Sequence, residues 1–175
     1  MRKHYSVFAN VVFYQLIWFG AVLGGQQYVV GLFALVLLHL YLSSGRREEM
    51  IVMGSCASIG IMTDSLLTYF GLFEFSHSPV VIPLWLVVLW LGFAGTFRLA
   101  LSYFMKRPPL AIAAAVVGAP LSYLAAARLG AVTYPYGYLT TAAVLAAVWF
   151  ILMNIFLRIV SSVESSAQKR IEGLS

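Results

Sequence analysis

The stretch SIGIMTDSLLTYFGLF, Ser58–Phe73, decides the fold. With the residues before it, it is an apolar run long enough to cross a bilayer, and it carries one carboxylate, Asp64. Backbone polar groups inside lipid must be satisfied within the segment, so a run of this kind predicts a transmembrane helix. A barrel strand would need only about 10 residues. The same reading outward along the chain predicts spans at about 6–24, 27–43, 50–72, 80–105, 109–128 and 138–160, since about 20 apolar residues cross the hydrocarbon. The connectors GGQQ, SGRREE, GLFEFSHSP, KRPP and LGAVTYPYG have turn chemistry. The polar stretch 161–175 reads as a cytoplasmic tail.

Composition agrees. Of 175 residues, 62% are hydrophobic and 10% charged, where a soluble domain carries about 25% charged residues. Six spans use nearly the whole chain, which leaves one transmembrane domain and no separate catalytic domain. The net charge of +5 would suggest nucleic acid in a soluble protein; here the basic residues sit in short connectors and set orientation instead. Arg2, Lys3, Arg46, Arg47, Lys106, Arg107, Arg158, Lys169 and Arg170 fall on one side and Arg128 on the other. The expected fold is therefore all-α: a polytopic membrane protein with six transmembrane helices in one bundle and both termini cytoplasmic. The basic start followed by about 19 apolar residues reads as the first span; a signal peptide's apolar region is shorter and ends at a small-residue cleavage site.

Several chemistries find no footing. Cys56 is the only cysteine, so there is neither an intramolecular disulfide nor a thiolate metal cage. His4, His39 and His77 lie in different segments, and no H-E-x-x-H, D-D-x-x-D or G-x-G-x-x-G occurs. No metal and no cofactor is expected.

Polar residues inside the spans carry the functional reading. Asp64 lies about 21 Å along span three, beyond the midplane. Ala57, Gly60, Asp64, Thr68 and Gly71 recur at helical spacing, so the acid shares a small, inward face. An intramembrane acid is a functional candidate because inserting it costs about 2.5–3.5 kcal/mol; the competing reading is a structural acid that pins helices. Arg98 stands roughly 12 Å above Lys106. It either reaches Asp64 or turns to groups on the inner side, and the long axial gap favours the latter. In span one Asn10 reads as interhelical glue, while Gln15, near Trp18, lies deeper and can face the same cavity as Asp64. In span five Ala115, Gly118, Ser122 and Ala126 form a second small face, and Pro120 predicts a kink there. Trp18, Trp90 and Trp149 lie deeper, where they either shape an apolar pocket or pack the core, and core packing is the commoner use of such aromatics. The expected ligand-binding set is Gln15, Trp18, Asp64, Thr68, Arg98 and Ser122.

The segments FYQLIWFGAVLG, DSLLTYFGLFEF, PLWLVVLWLGFAGTFRLALSYF and GAPLSYLAAARLGA resemble those of a bacterial six-span inner-membrane family of unknown function, domain of unknown function family 2878. The resemblance covers almost the whole chain. It rests on Gln15 with Trp18, on Asp64-Ser65, on Pro83 with Trp85 and Trp90, and on Gly118, Pro120, Ser122 and Tyr123. The family supplies no activity; its gene neighbourhood, with cyclopropane-fatty-acid-synthase-like enzymes and flavin oxidoreductases, implies a place in membrane lipid modification. The expected function is binding of a lipid or other hydrophobic ligand in an intramembrane pocket of the bacterial inner membrane. Six short spans and a buried acid are also similar to the substrate-binding subunits of energy-coupling-factor transporters and to the rod-shape membrane protein D. Span one has no clear alanine-spaced docking motif, however. The alternatives are thus a transporter's binding subunit and a non-catalytic scaffold. Expected partners are membrane lipid and, in those alternatives, other membrane proteins; nucleic acid is not expected.

Overall fold

The computed structural model describes residues 6–75 and 82–173. Arg2, Lys3, His4, His77, residues 80–81 at the start of the fourth expected span, and the last two residues of the tail lie outside them. The described chain is helical: α1 (Val7–Gly24), α2 (Val29–Leu42), α3 (Arg46–Tyr69), α4 (Leu84–Ala94), the single turn α5 (Ser102–Met105), α6 (Pro108–Arg128) and α7 (Tyr138–Glu172). Among the described residues, four stretches are long and apolar enough to cross a membrane: Val7–Leu42, Arg46–Tyr69, Pro108–Arg128 and Tyr138–Glu172. The apolar helices mark a membrane-embedded protein.

Local chemistry explains the helix boundaries. The Ser6 hydroxyl caps α1 by accepting from the Ala9 N–H at 3.2 Å. Gly45 takes the left-handed conformation that turns the chain into α3. Pro108 stands at the first position of α6, where a missing N–H costs nothing. α6 continues through Pro120 to Arg128. Lys169 and Arg170 in the last turn of α7 complement the carbonyl end of that helix. Arg170 also pairs with Glu48 of α3 at 3.0 Å, so α7 stays helical well into the expected tail and is tethered there.

The stretch Val7–Leu42 doubles back. A short 3₁₀ turn over Gly25–Tyr28, with Gly25 at φ +52°, reverses the chain. Asn10 near the start of α1 consequently meets His39 near the end of α2, and Gly20 lies against Leu32. α4 sits at the centre, packed by α1, α2 and α3, while α6 packs along α7. A helix enclosed on all sides is apolar all round, as LWLVVLWLGFA is.

The stretch expected as a single span over 80–105 is broken within the described residues. Helix α4 ends at Ala94, and hydrogen-bonded turns carry the chain to α5. Asn10, only 2% exposed, stabilises the break. Its amide nitrogen donates to the Gly95 carbonyl at 3.2 Å, and its oxygen accepts from the Ala100 N–H at 3.1 Å. The groups that the break releases are thereby satisfied by another helix. Gly95 is required because a side chain there would come within 2.9 Å of His39.

The central packing is aromatic. Trp90 stacks on Trp149 with centroids 5.5 Å apart, Phe93 and Phe156 meet both edge-on, and Phe97 packs in turn against Phe93 and Phe156. Trp90 fits only because residue 60 has no side chain: a Cβ there would lie 2.3 Å from the indole. Gly60→Ala is expected to force Trp90 off its stack and destabilise the protein by about 1–3 kcal/mol. Thermal unfolding of the detergent-solubilised protein checks this.

Candidate functional site

Two polar constellations and one cavity stand out. At the basic end of the bundle, where Arg46, Arg47, Lys106 and Arg107 lie, Glu49 is buried between His39 and Arg98. Glu49 Oε1 is 3.0 Å from His39 Nε2, and Oε2 accepts from Arg98 Nη1 at 3.0 Å. Arg98 Nη1 also donates to the Gly45 carbonyl at 3.2 Å. The Asn10 oxygen faces the Ala100 N–H, so its nitrogen faces His39 Nδ1. Nδ1 must then accept, and Nε2 carries the proton given to Glu49. One continuous network thus runs from the break after α4 through α1 and α2 to the start of α3.

Deeper in the bundle, Asp64 is 1% exposed. Its Oδ2 accepts from Trp90 Nε1 and from the Tyr123 hydroxyl, each at 2.7 Å. Thr68 closes back onto the Asp64 carbonyl at 2.7 Å. Tyr123 is held from the other side by Phe73, stacked at 5.4 Å, and by the Tyr134 hydroxyl, which donates to the Tyr123 carbonyl. Tyr134 lies in the connector after α6, and burial pushes its phenol above the ordinary tyrosine range, so it remains a donor.

Trp90 and Tyr123 present their other faces to a cavity of about 540 Å³ between α1, α4 and α6. Its α6 wall is small: Ala111, Ala115, Gly118, Ala119 and Ser122 leave room where larger residues would fill it. Phe73, Phe75 and Val132 line the end away from the basic residues, and Leu101, Phe104 and Met105 line the other. The two loops over the first of these ends are paired by backbone hydrogen bonds between Glu74 and Thr133, at 3.1 and 2.9 Å. Across the cavity, Trp18 Nε1 of α1 donates to the Ser122 hydroxyl of α6 at 3.0 Å.

The six residues expected to share a pocket therefore divide three ways. Gln15, Trp18 and Ser122 line the cavity. Asp64 and Thr68 stand behind its wall, and Asp64 acts on the cavity through Trp90 and Tyr123. Arg98 belongs to the basic-end network, paired with Glu49 rather than with Asp64. Sequence reasoning missed Glu49 and His39. They lie on different helices, so no spacing joins them, and Glu49 reads as part of a polar connector. Tyr123 was visible within the block Gly118–Tyr123, though not as a partner of Asp64. Among the described residues no cluster of three or more His, Cys, Asp or Glu side chains is placed to hold a metal ion.

Comparison with known proteins adds one match. A family model described as "Protein of unknown function (DUF2878)" fits residues 7–155. The chain belongs to this family. For this DUF2878 protein the matched range contains every residue that lines the cavity and both polar constellations, and it ends inside α7. No curated protein and no solved structure matches the chain.

Proposed function

We propose that the protein binds a lipid or similar hydrophobic ligand in the cavity between α1, α4 and α6, within a six-crossing bundle of the bacterial inner membrane whose termini are both cytoplasmic. The α1–α2 hairpin supports the crossing count, because it splits Val7–Leu42 into two antiparallel segments. The stretch from α4 to α5, 84–105, then supplies the remaining segment. The orientation rests on the gathering of Lys and Arg at one end. Lipid modification is the process in which such a protein would serve.

The observation that carries the ligand reading is the cavity itself. Its volume of about 540 Å³ falls in the range of small-molecule sites, about 300–1,000 Å³, and its walls are mostly apolar with a few polar groups, as such sites are. Apolar walls of that extent, open on one side between α1 and α6, lose dispersion contacts unless a ligand fills the space.

Gly118 gives a direct test. It lines the cavity, and a Cβ built there meets nothing within 4 Å. Gly118→Phe is expected to fill the space without unfolding the helix, since any ordinary residue is a better helix former than glycine. Native mass spectrometry of the wild-type protein should detect retained lipid, and the variant should retain at least fivefold less at equal thermal stability. Equal retention by both proteins would place the lipid elsewhere, and none in either would favour the scaffold reading.

A further inference from the structure

The cavity opens sideways at mid-membrane depth. Among its lining residues Gln15 and Phe19 of α1 and Ala114 and Gly118 of α6 are exposed, so the mouth lies between these two helices. α6 runs about 30 Å from Pro108 to Arg128, and Gly118 lies at its middle, about 15 Å from the start. Gln15 lies about 12 Å along α1 and about 13 Å from its end. The two helices independently place the mouth near the bilayer midplane. The hydrocarbon region is about 30 Å thick, so headgroups begin about 15 Å from this level.

The cavity's form limits what enters. Its lining residues along α6 run from Ala111 to Ala126, about 22 Å of helix. Such a length with a volume of about 540 Å³ describes a narrow slot suited to an extended hydrocarbon chain.

Gln15 is the anomaly in this slot. Its side-chain amide makes no hydrogen bond among the described residues and stands exposed at the mouth. A glutamine side chain is too short to reach either interface from the midplane. Its partner must come from whatever occupies the mouth, because an unpaired amide in hydrocarbon is costly. A phospholipid headgroup cannot supply that partner at this depth, whereas a hydroxyl or carbonyl borne partway along the chain can.

We infer that the cavity takes a single lipid chain bearing an uncharged oxygen function far from its headgroup, and that Gln15 is the residue that recognises that oxygen. This rests on the hydrophobic-ligand reading above and names the ligand class. The Trp18–Ser122 hydrogen bond spans the slot above the mouth, and of the polar side chains lining the slot Gln15 is the one exposed at the opening.

The test uses the full chain in nanodiscs, titrated with stearate, 2-hydroxystearate and 12-hydroxystearate and followed by tryptophan fluorescence. The wild-type protein is expected to bind 12-hydroxystearate about tenfold more tightly than either other acid, the scale of one hydrogen bond with no competing water. Gln15→Leu, at an exposed position where folding is not at stake, should abolish the preference, so that 12-hydroxystearate and stearate bind the variant equally. Equal binding of all three acids by the wild type, or a preference that survives Gln15→Leu, overturns the inference and leaves acyl-chain binding standing. Binding of none of them overturns both.

Discussion

Asp64→Ala is expected to destabilise the protein by about 2–4 kcal/mol, while Asp64→Asn stays within about 1 kcal/mol of wild type. Oδ2 is the acceptor for two buried donors, the Trp90 indole and the Tyr123 hydroxyl. Leaving a buried donor unsatisfied costs about 1–3 kcal/mol, and membrane interiors give individual hydrogen bonds the lower part of that scale. Asparagine keeps a carbonyl oxygen where Oδ2 stands, whereas alanine keeps nothing. The loss would also reach the cavity, since both donors form its wall and Trp90 carries the stack on Trp149. Thermal unfolding in detergent measures the first effect, and lipid retention measures the second. An Asp64→Ala protein with wild-type stability but no ligand binding would reverse the assignment and make the carboxyl a ligand group.

Glu49→Ala is expected to be at least as damaging, about 3–5 kcal/mol, because it strands a charge. Arg98 is 18% exposed at the side chain and Glu49 5%, so the guanidinium would keep the Gly45 carbonyl but lose its counter-charge. Removing one partner of a buried pair typically has this cost, while replacing both with apolar groups is often neutral. The double variant Glu49→Ala/Arg98→Met should therefore recover most of the loss, apart from the contribution of the His39 contact to Glu49. A double-mutant cycle on thermal stability checks this. Strict additivity of the two single effects would show that Arg98 and Glu49 are not coupled.

Much of the helical frame was legible along the chain because it is a local property. Apolar length, turn residues and the position of Pro108 are read within a few residues, and the small face of α3 follows from helical spacing alone. Ala57, Gly60, Asp64 and Thr68 are buried together, while Gly71, expected on the same face, lies past the end of α3 in a turn at φ +75°. The break after Ala94 was not legible. No proline marks it, and two of the groups it frees are satisfied by the amide of Asn10, more than 80 residues earlier in the chain. Polarity and depth put Gln15, Trp18 and Ser122 in one candidate set with Asp64, Thr68 and Arg98; the structure brings Trp18 to Ser122 across the cavity. Arg98 was placed in the same candidate set, although its axial distance from Asp64 already favoured groups on the inner side, and depth could name neither Glu49 as its partner nor Trp90 and Tyr123 as those of Asp64.

The sequence by itself determined that this is an apolar helical chain for a membrane, which residues of each helix are small or polar, and where its basic residues gather. These depend on composition and on periods of a few residues. Only the tertiary structure decided that Asp64 holds Trp90 and Tyr123 from behind, that Arg98 pairs with Glu49, and that α1 and α6 stand apart around a cavity. Hydrogen bonds in hydrocarbon go to whichever donor or acceptor lies within about 3 Å, and that choice is fixed by how helices remote in sequence pack against α4.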